Sequence, residues 1–191
     1  MISLVGLFVV VPLHFLSVEH AKLTNKYGEE GGYKIGATLG MISGWGFFLF
    51  LFGLWLSPQD RFQFQITGFS FLGVPLSHVL LAFVFLIPGA YLGIKGVTEV
   101  GLKTAETHRA ERVVTTGVYS SVRHPQYLGA ILSHIGASFL FSAAYSLIVS
   151  PIVILVNYIL CWKEEKELLR EFGEEYLRYR ESVPMLVPKI G

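Results

Sequence analysis

Five apolar runs, separated by short polar segments, constrain this chain more than any other feature of its sequence. They are Ile2–Leu16 (extending as far as Val18), Ile35–Leu56, Phe71–Val97, Tyr127–Phe141 and Tyr145–Trp162. A helix needs about 20 mainly apolar residues to cross a hydrocarbon core. Only 15% of the 191 residues are charged, against about 25% in an ordinary soluble domain, and the mean hydropathy is +0.55. The pattern predicts an all-α, polytopic integral membrane protein with about five transmembrane helices. The last two runs are split only by Ser142, Ala143 and Ala144, a connector that suits a tight helical hairpin. The chain reads as a single membrane domain, 1–191, with three N-terminal spans in 1–97 and a functional core in 98–191.

The first run starts apolar at Met1 without a basic leader, so it is expected to be a retained helix, not a signal peptide. Pro12 kinks it. His14, Glu19 and His20 are either boundary residues or face a bundle cavity. Ala21–Lys34, with Gly28, Gly31 and Gly32, reads as a polar loop. Gly36, Gly40, Gly44 and Gly53 in the second run suit close helix packing, and Trp45 and Trp55 suit interface or packing positions. Ser57–Ser70, with Pro58, Asp60 and Arg61, is a connecting loop, and Pro88 bends the third span. The single cysteine, Cys161, excludes an internal disulfide. His108, His124 and His134 have no metal-ligand spacing, and a net charge of +1 offers nothing to nucleic acid. No metal and no nucleic-acid partner are therefore expected.

With the N-terminus outside, 14 of the 15 basic residues fall on the cytoplasmic side, in 21–34, in 95–125 (Lys95 and Lys103 to Arg123) and in the tail to Lys189; only Arg61 falls outside. Cytoplasmic loops concentrate lysine and arginine in this way. The orientation brings two polar stretches to one face, Thr115–Gly129 and Lys163–Pro188. In the second, Leu168, Leu169, Phe172 and Tyr176 share a helical face. It reads as an amphipathic cytoplasmic tail helix that can lie on anionic membrane lipids, divided at Gly173 and ended by Pro184 and Pro188.

The sequence GVYSSVRHPQYLG, followed about 35 residues later by EEKELLREFGEEYLRYRESVP, resembles the isoprenylcysteine carboxyl methyltransferase family, part of a wider group with the phospholipid N-methyltransferases. The matching residues are Gly117, Val118, Tyr119, Arg123, His124, Pro125, Tyr127, Gly129, Glu164 and Glu165, then Phe172, Gly173, Tyr176, Tyr179, Val183 and Pro184. The likeness covers roughly residues 95 to 190. It implies an S-adenosylmethionine-dependent methyltransferase whose lipophilic substrate enters from the bilayer. Carried over by position, the cofactor contacts fall on Glu111, Arg112, Val113, Val114, Tyr119, His124, Pro125, Gln126, Tyr127 and Glu164. Arg123 and Lys163 are the substrate-side candidates.

The residue chemistry accommodates that implication. His124 and nearby amides can donate to a carboxylate, and Glu164 can accept from an ammonium or a ribose. Tyr119 and Tyr127 offer aromatic surface to adenine or a sulfonium. Pro125 restricts His124 to an extended backbone. Each residue also has a plainer use: His124 as a helix cap, the tyrosines as interface anchors, Glu164 as a solvated helix charge, Arg123 as a lipid-phosphate contact. Prenylcysteine-specific members carry an arginine four residues before the cofactor glutamate, and here that position is Leu160. The acceptor is thus left open among a prenylcysteine carboxylate, an amine and a thiol. An NADPH-dependent sterol-type reductase, whose asparagine–tyrosine pair would correspond to Gln126–Tyr127, and a non-catalytic scaffold are the competing readings.

Overall fold

A helix forms along each apolar run, and some helices extend beyond the run into charged sequence. The computed structural model describes residues 2–57, 61–64, 66, 68–107 and 109–188. Met1, Pro58, Asp60, His108 and Lys189, and the side chain of Lys103, lie outside the described residues. The chain is an all-α membrane protein. Helix α1 spans Ile2–Ser17, α2 His20–Trp55 and α3 Leu76–Val100. The short α4 covers Leu102–Thr107. Helices α5 (Pro125–Leu140), α6 (Ala144–Phe172) and α7 (Glu174–Ser182) complete the chain. Among the described residues α2, α3 and α6 are long and apolar enough to cross a membrane. α1 and α5 have 16 residues each.

The segment 21–34 is helical, not a loop. Its glycines are packing and reversal sites within helical pieces. Gly28 alone leaves the helical region (φ 75°, ψ 170°), a backbone that glycine adopts at no steric cost. There the chain reverses: a Cβ on Gly32 would lie 2.6 Å from the Thr24 amide nitrogen, and one on Gly36 3.5 Å from the Ser17 carbonyl. The first turns of α2 therefore extend the line of α1, and the rest returns alongside it.

The third helix starts five residues later than the apolar run. Ser70–Phe71 and Val74–Pro75 form a small antiparallel hairpin around Leu72 (φ 50°) and Gly73 (φ 80°). Two central residues with positive φ give a hairpin turn that matches strand twist. Helix α3 then runs to Val100, past the expected end. It packs most closely on α5, because glycines face each other there. A Cβ on Gly129 would sit 2.6 Å from the Gly93 amide nitrogen and 2.7 Å from the Gly89 carbonyl. Small residues allow such backbone approach in membrane helices. The packing holds the N-terminus of α5 against Gly96.

The connector between α5 and α6 is the expected tight hairpin. Ser142 takes φ 51°, and Ala143 N–H donates to the Ser138 carbonyl at 2.8 Å. The first part of the tail is not a separate helix: α6 continues without a break to Phe172. Gly173 (φ 51°) then redirects the chain into α7. The apolar stripe of this region does not face lipid. Tyr176 and Tyr179 are buried with Val118, Tyr119 and Val183, and Leu168, Leu169, Phe172, Val113 and Val114 pack around them.

Candidate active site

The two polar stretches meet as one framework. After α3, the chain returns through a 3-10 turn, Gly117–Ser120. Its start is held by Glu99, whose carboxylate accepts from the Val118 N–H at 3.1 Å. Tyr119 donates its hydroxyl to the Gly96 carbonyl (3.2 Å), and Gln126 Nε2 donates to that hydroxyl (3.1 Å). Tyr179 on α7 donates to the Tyr119 carbonyl at 2.7 Å. Burial raises the pKa of both phenols.

Arg123 ties the framework together. Its Nε donates to Glu165 Oε1 at 2.7 Å, and its Nη2 lies 2.5 Å from the same oxygen. Nη1 donates to the Arg180 carbonyl at 2.9 Å and to the Val183 carbonyl. The backbone repeats the link: Arg123 N–H donates to the Pro184 carbonyl (2.9 Å) and His124 N–H to that of Met185 (3.1 Å). His124 is buried between two carboxylates, with Nδ1 3.4 Å from Glu164 Oε2 and Nε2 3.3 Å from Glu165 Oε1. Burial alone would lower its pKa. Cys161 beside it and the contacts with Glu164 and Glu165 outweigh burial and hold the pKa well above the ordinary 6.5. Tyr127, in the first turn of α5, donates to Glu164 Oε1 at 2.6 Å.

A cleft of about 430 Å³ opens over this framework, within the roughly 300–1,000 Å³ usual for small-molecule sites. Glu111, Arg112, Val113, Val114 and Tyr119 line it. A recess of about 100 Å³ continues it along His124, Gln126, Tyr127 and Glu164, with Tyr119 and Arg123 common to both. Nine of the ten residues carried over by the family resemblance thus line one continuous space. The tenth, Pro125, is buried at the start of α5, and its ring backs onto Gly96. Lys163 lines neither cavity: it is ion-paired with Glu19 at the junction of α1 and α2, 5.8 Å from the centre of the Phe15 ring. Among the described residues no cluster of metal-ligating side chains occurs.

Sequence reasoning missed several wall residues: Val100, Thr104, Ala110, Leu168, Tyr176 and Tyr179. The helical stripe of Leu168 and Tyr176 was the available signal; what it lacked was the partner surface. The Tyr176 hydroxyl is buried and lacks a hydrogen-bond partner among the described residues. Such an orphan in a cleft wall is a place for a ligand's polar atom. It fits, with the carboxylate of Glu164 and the aromatic walls, a ligand that carries both polar and aromatic parts.

A third cavity, of about 470 Å³, lies between α2, α3, α5 and α6, and Gln126, Tyr127 and Ala105 belong both to its wall and to that of the recess. Its lining is otherwise mainly apolar, including Met41, Phe47, Phe48, Ile94 and Leu160.

The family model for phospholipid methyltransferases matches residues 41–175. The chain belongs to the phospholipid methyltransferase family. Protein-S-isoprenylcysteine O-methyltransferase of Schizosaccharomyces pombe is 29% identical over 119 residues, 56% of this chain and 48% of that one. The mouse enzyme of the same name is 34% identical over 94 residues, covering 45% and 30%. Methanethiol S-methyltransferase of Crocosphaera subtropica is 31% identical over 140 residues, covering 73% and 53%. The chain thus spans about half, or less, of the length of these relatives. No solved structure matches it.

Proposed function

We propose that this family member is an S-adenosylmethionine-dependent methyltransferase whose acceptor is lipophilic and arrives from the bilayer. The observation that carries this reading is the shared wall at Gln126 and Tyr127, where a recess lined by Arg123, His124 and Glu164 meets a mainly apolar chamber. A methyl donor in the first and an acceptor in the second would face each other across that wall. The relatives' names, which cover a prenylcysteine O-methyltransferase and a methanethiol S-methyltransferase, support the reaction type and leave the acceptor atom open.

When bound, the cofactor would supply a methyl group on a cationic sulfonium. The residues of this chain have other tasks. Backbone groups of Glu111–Val114 and the Tyr176 hydroxyl offer partners to its polar ends. Glu164 offers a carboxylate to an ammonium or ribose, and Tyr119 and Tyr127 offer aromatic surface to the adenine or the sulfonium. His124, held between Glu164 and Glu165, fixes the position of both carboxylates. Methyl transfer is an in-line displacement, so positioning and exclusion of water account for most of the acceleration. Arg123 orders the cleft through Glu165 and the Arg180 and Val183 carbonyls, and it also lines the cleft. Lys163 stands farther off, at the α1–α2 junction.

The distribution of basic residues supports a cytoplasmic cleft and C-terminus and an outside N-terminus. Five spans follow if α1 and α5 cross as well. Each measures about 24 Å at 1.5 Å per residue, short of the roughly 30 Å core, and His20–Tyr27 lengthens the first. On this reading residues 98–191 form the cofactor-binding part of a single membrane domain that touches membrane lipids throughout.

Calorimetric titration of the detergent-solubilised chain with S-adenosylhomocysteine, with NADPH in parallel, tests the proposal. Saturable binding of the homocysteine compound alone is the expected result. Binding of NADPH alone would replace the reading with a reductase; binding of neither by folded protein would leave a scaffold.

A further inference from the structure

The chamber has a bottom inside the bundle. Along α5 its wall runs from Gln126, shared with the recess, to Ser133. Along α2 it runs from Gly40 to Phe48, and along α3 from Val97 to Gly89. At 1.5 Å per residue these stretches give a depth of about 10–12 Å. Farther from the recess the helices close on one another. Phe47 lines the chamber and also packs on the buried cluster of Leu51, Leu54 and Val153, joined by Leu7 of α1 and Val149 of α6. Asn157, in the chamber wall, donates its Nδ2 to the Val153 carbonyl at 2.8 Å. On α5 the residue after Ser133 is His134, buried with its ring centre 6.0 Å from that of Trp55. Helices α3 and α5 meet there at backbone distance: a Cβ on Gly136 would lie 3.0 Å from the Ala82 carbonyl.

The sequence of α2 builds this shape. Gly40 and Gly44, one helical turn apart, have no side chain to fill the bore, and Phe47 closes it less than a turn later. On the lipid side Met41, Trp45, Phe48 and Ile94 line the chamber and are themselves exposed, so an acceptor can enter between α2 and α3. Phe47 differs from these rim residues. It is held against α1, α2 and α6 at once, and a ring packed on three sides cannot yield without disturbing its neighbours. Bonds of about 1.5 Å meeting at about 111° advance an extended alkyl chain by about 1.25 Å per carbon, so the depth takes about eight to ten carbons in line. One methylene too many against a fixed apolar wall changes discrimination by about 10–200-fold.

Resting on the methyltransferase reading, we infer that Phe47 is a specificity-determining residue: it ends the acceptor chamber and limits the acceptor to an apolar chain of medium length, about eight to ten carbons in line from the reacting atom. The limit acts on the acceptor's tail and is independent of which atom receives the methyl group. A shorter chain leaves part of the bore without contacts and loses their dispersion energy. A longer chain laid along α5 from Gln126 and Tyr127 meets the Phe47 ring, and it must buckle or turn back between Trp45 and Ile94 to stay bound.

The test uses the full chain in detergent and needs no turnover. The probes are S-adenosylhomocysteine and analogues of it in which nitrogen replaces the sulfur and carries a butyl, octyl, dodecyl or hexadecyl chain in place of the departing methyl group. Dissociation constants are compared between wild type and Phe47→Ala for the same compound, so that its partition into detergent cancels. The ratio is expected to stay near one for butyl and to favour the variant by at least about tenfold for dodecyl and hexadecyl. Ala130→Leu acts in the opposite direction and keeps the test open if Phe47→Ala does not fold. Ala130 lines the bore one turn of α5 before Ser133, so this variant is expected to weaken octyl by at least about tenfold against wild type and to leave butyl unchanged. S-adenosylhomocysteine itself is expected to bind all three proteins alike. Binding of S-adenosylhomocysteine together with ratios that do not depend on chain length, or with no binding of any alkyl analogue, would overturn the length limit and leave the methyltransferase reading standing. Failure of folded wild-type protein to bind S-adenosylhomocysteine would overturn that reading and the length limit with it.

Discussion

Arg123 and Glu165 form a buried ion pair, Nη2 to Oε1 at 2.5 Å with both side chains more than nine-tenths covered, and it joins the turn before α5 to the end of α6. Removing one partner of such a pair leaves an uncompensated charge, at a cost of about 3–5 kcal/mol. Arg123→Ala and Glu165→Ala are both expected to lower the melting temperature steeply and abolish binding of S-adenosylhomocysteine. The double variant Arg123→Met/Glu165→Leu is expected to recover only part of the loss, because Arg123 also serves the Arg180 and Val183 carbonyls. Full recovery in thermal melts would show that those two bonds contribute nothing.

Gly129 and Gly93 face one another across the α3–α5 contact but meet different neighbours. A Cβ on Gly129 would strike backbone at 2.6 Å, whereas one on Gly93 would meet nothing within 4 Å. Gly129→Ala must push the helices apart, and overpacking of this kind costs about 1–3 kcal/mol. Gly93→Ala is expected to leave the stability within about 0.5 kcal/mol of wild type, the usual range for a substitution free of such contacts. Equal melting temperatures for the two variants would contradict the close approach.

The contrast also shows what was legible in the sequence. The apolar runs located the major helices, because hydrophobic length is a local property, and the connector 142–144 was short enough to allow only a hairpin. Glycine in 21–34 misled, because a glycine that terminates a helix and one that lets helices touch look alike in sequence. Nine of the residues carried over by the family resemblance share one cleft because the motif stretches flank α5 and α6, whose hairpin returns the chain to the same end. The roles of Tyr176 and Tyr179 stayed hidden. Their stripe fits lipid as well as protein, and only the position of Val118 and Tyr119 decides between them. Arg123 stood out in the motif, but its carbonyl partners lie about 60 residues away and have no sequence signature.

Glu164 joins Tyr127 to the cleft and stands 3.4 Å from His124. Glu164→Ala is expected to weaken S-adenosylhomocysteine binding by about tenfold, or 1.4 kcal/mol. Loss of the Tyr127–Glu164 hydrogen bond costs about 1 kcal/mol, which in a chain of this size is about 2–4 °C of melting temperature. Calorimetry and thermal melts on the same preparation check both figures. Unchanged affinity in a folded variant would take Glu164 out of the cofactor site.

His124 makes stability depend on pH with a definite sign. Burial works against its charge, but Cys161, Glu164 and Glu165 prevail, and its pKa in the folded chain lies well above 6.5. The folded state therefore holds the imidazole proton more tightly than the unfolded chain does. The resulting stability is complete below the unfolded pKa and disappears as pH rises through the folded one. Melting temperature is expected to be flat from about pH 5 to 6.5 and to decline on the alkaline side. His124→Asn removes the titrating ring, so its melting temperature is expected to be lower than wild type at pH 6 and to change less between pH 6 and 9. A variant that reproduces the wild-type alkaline decline would assign it to another group, and the two carboxylates would then hold no charge on His124.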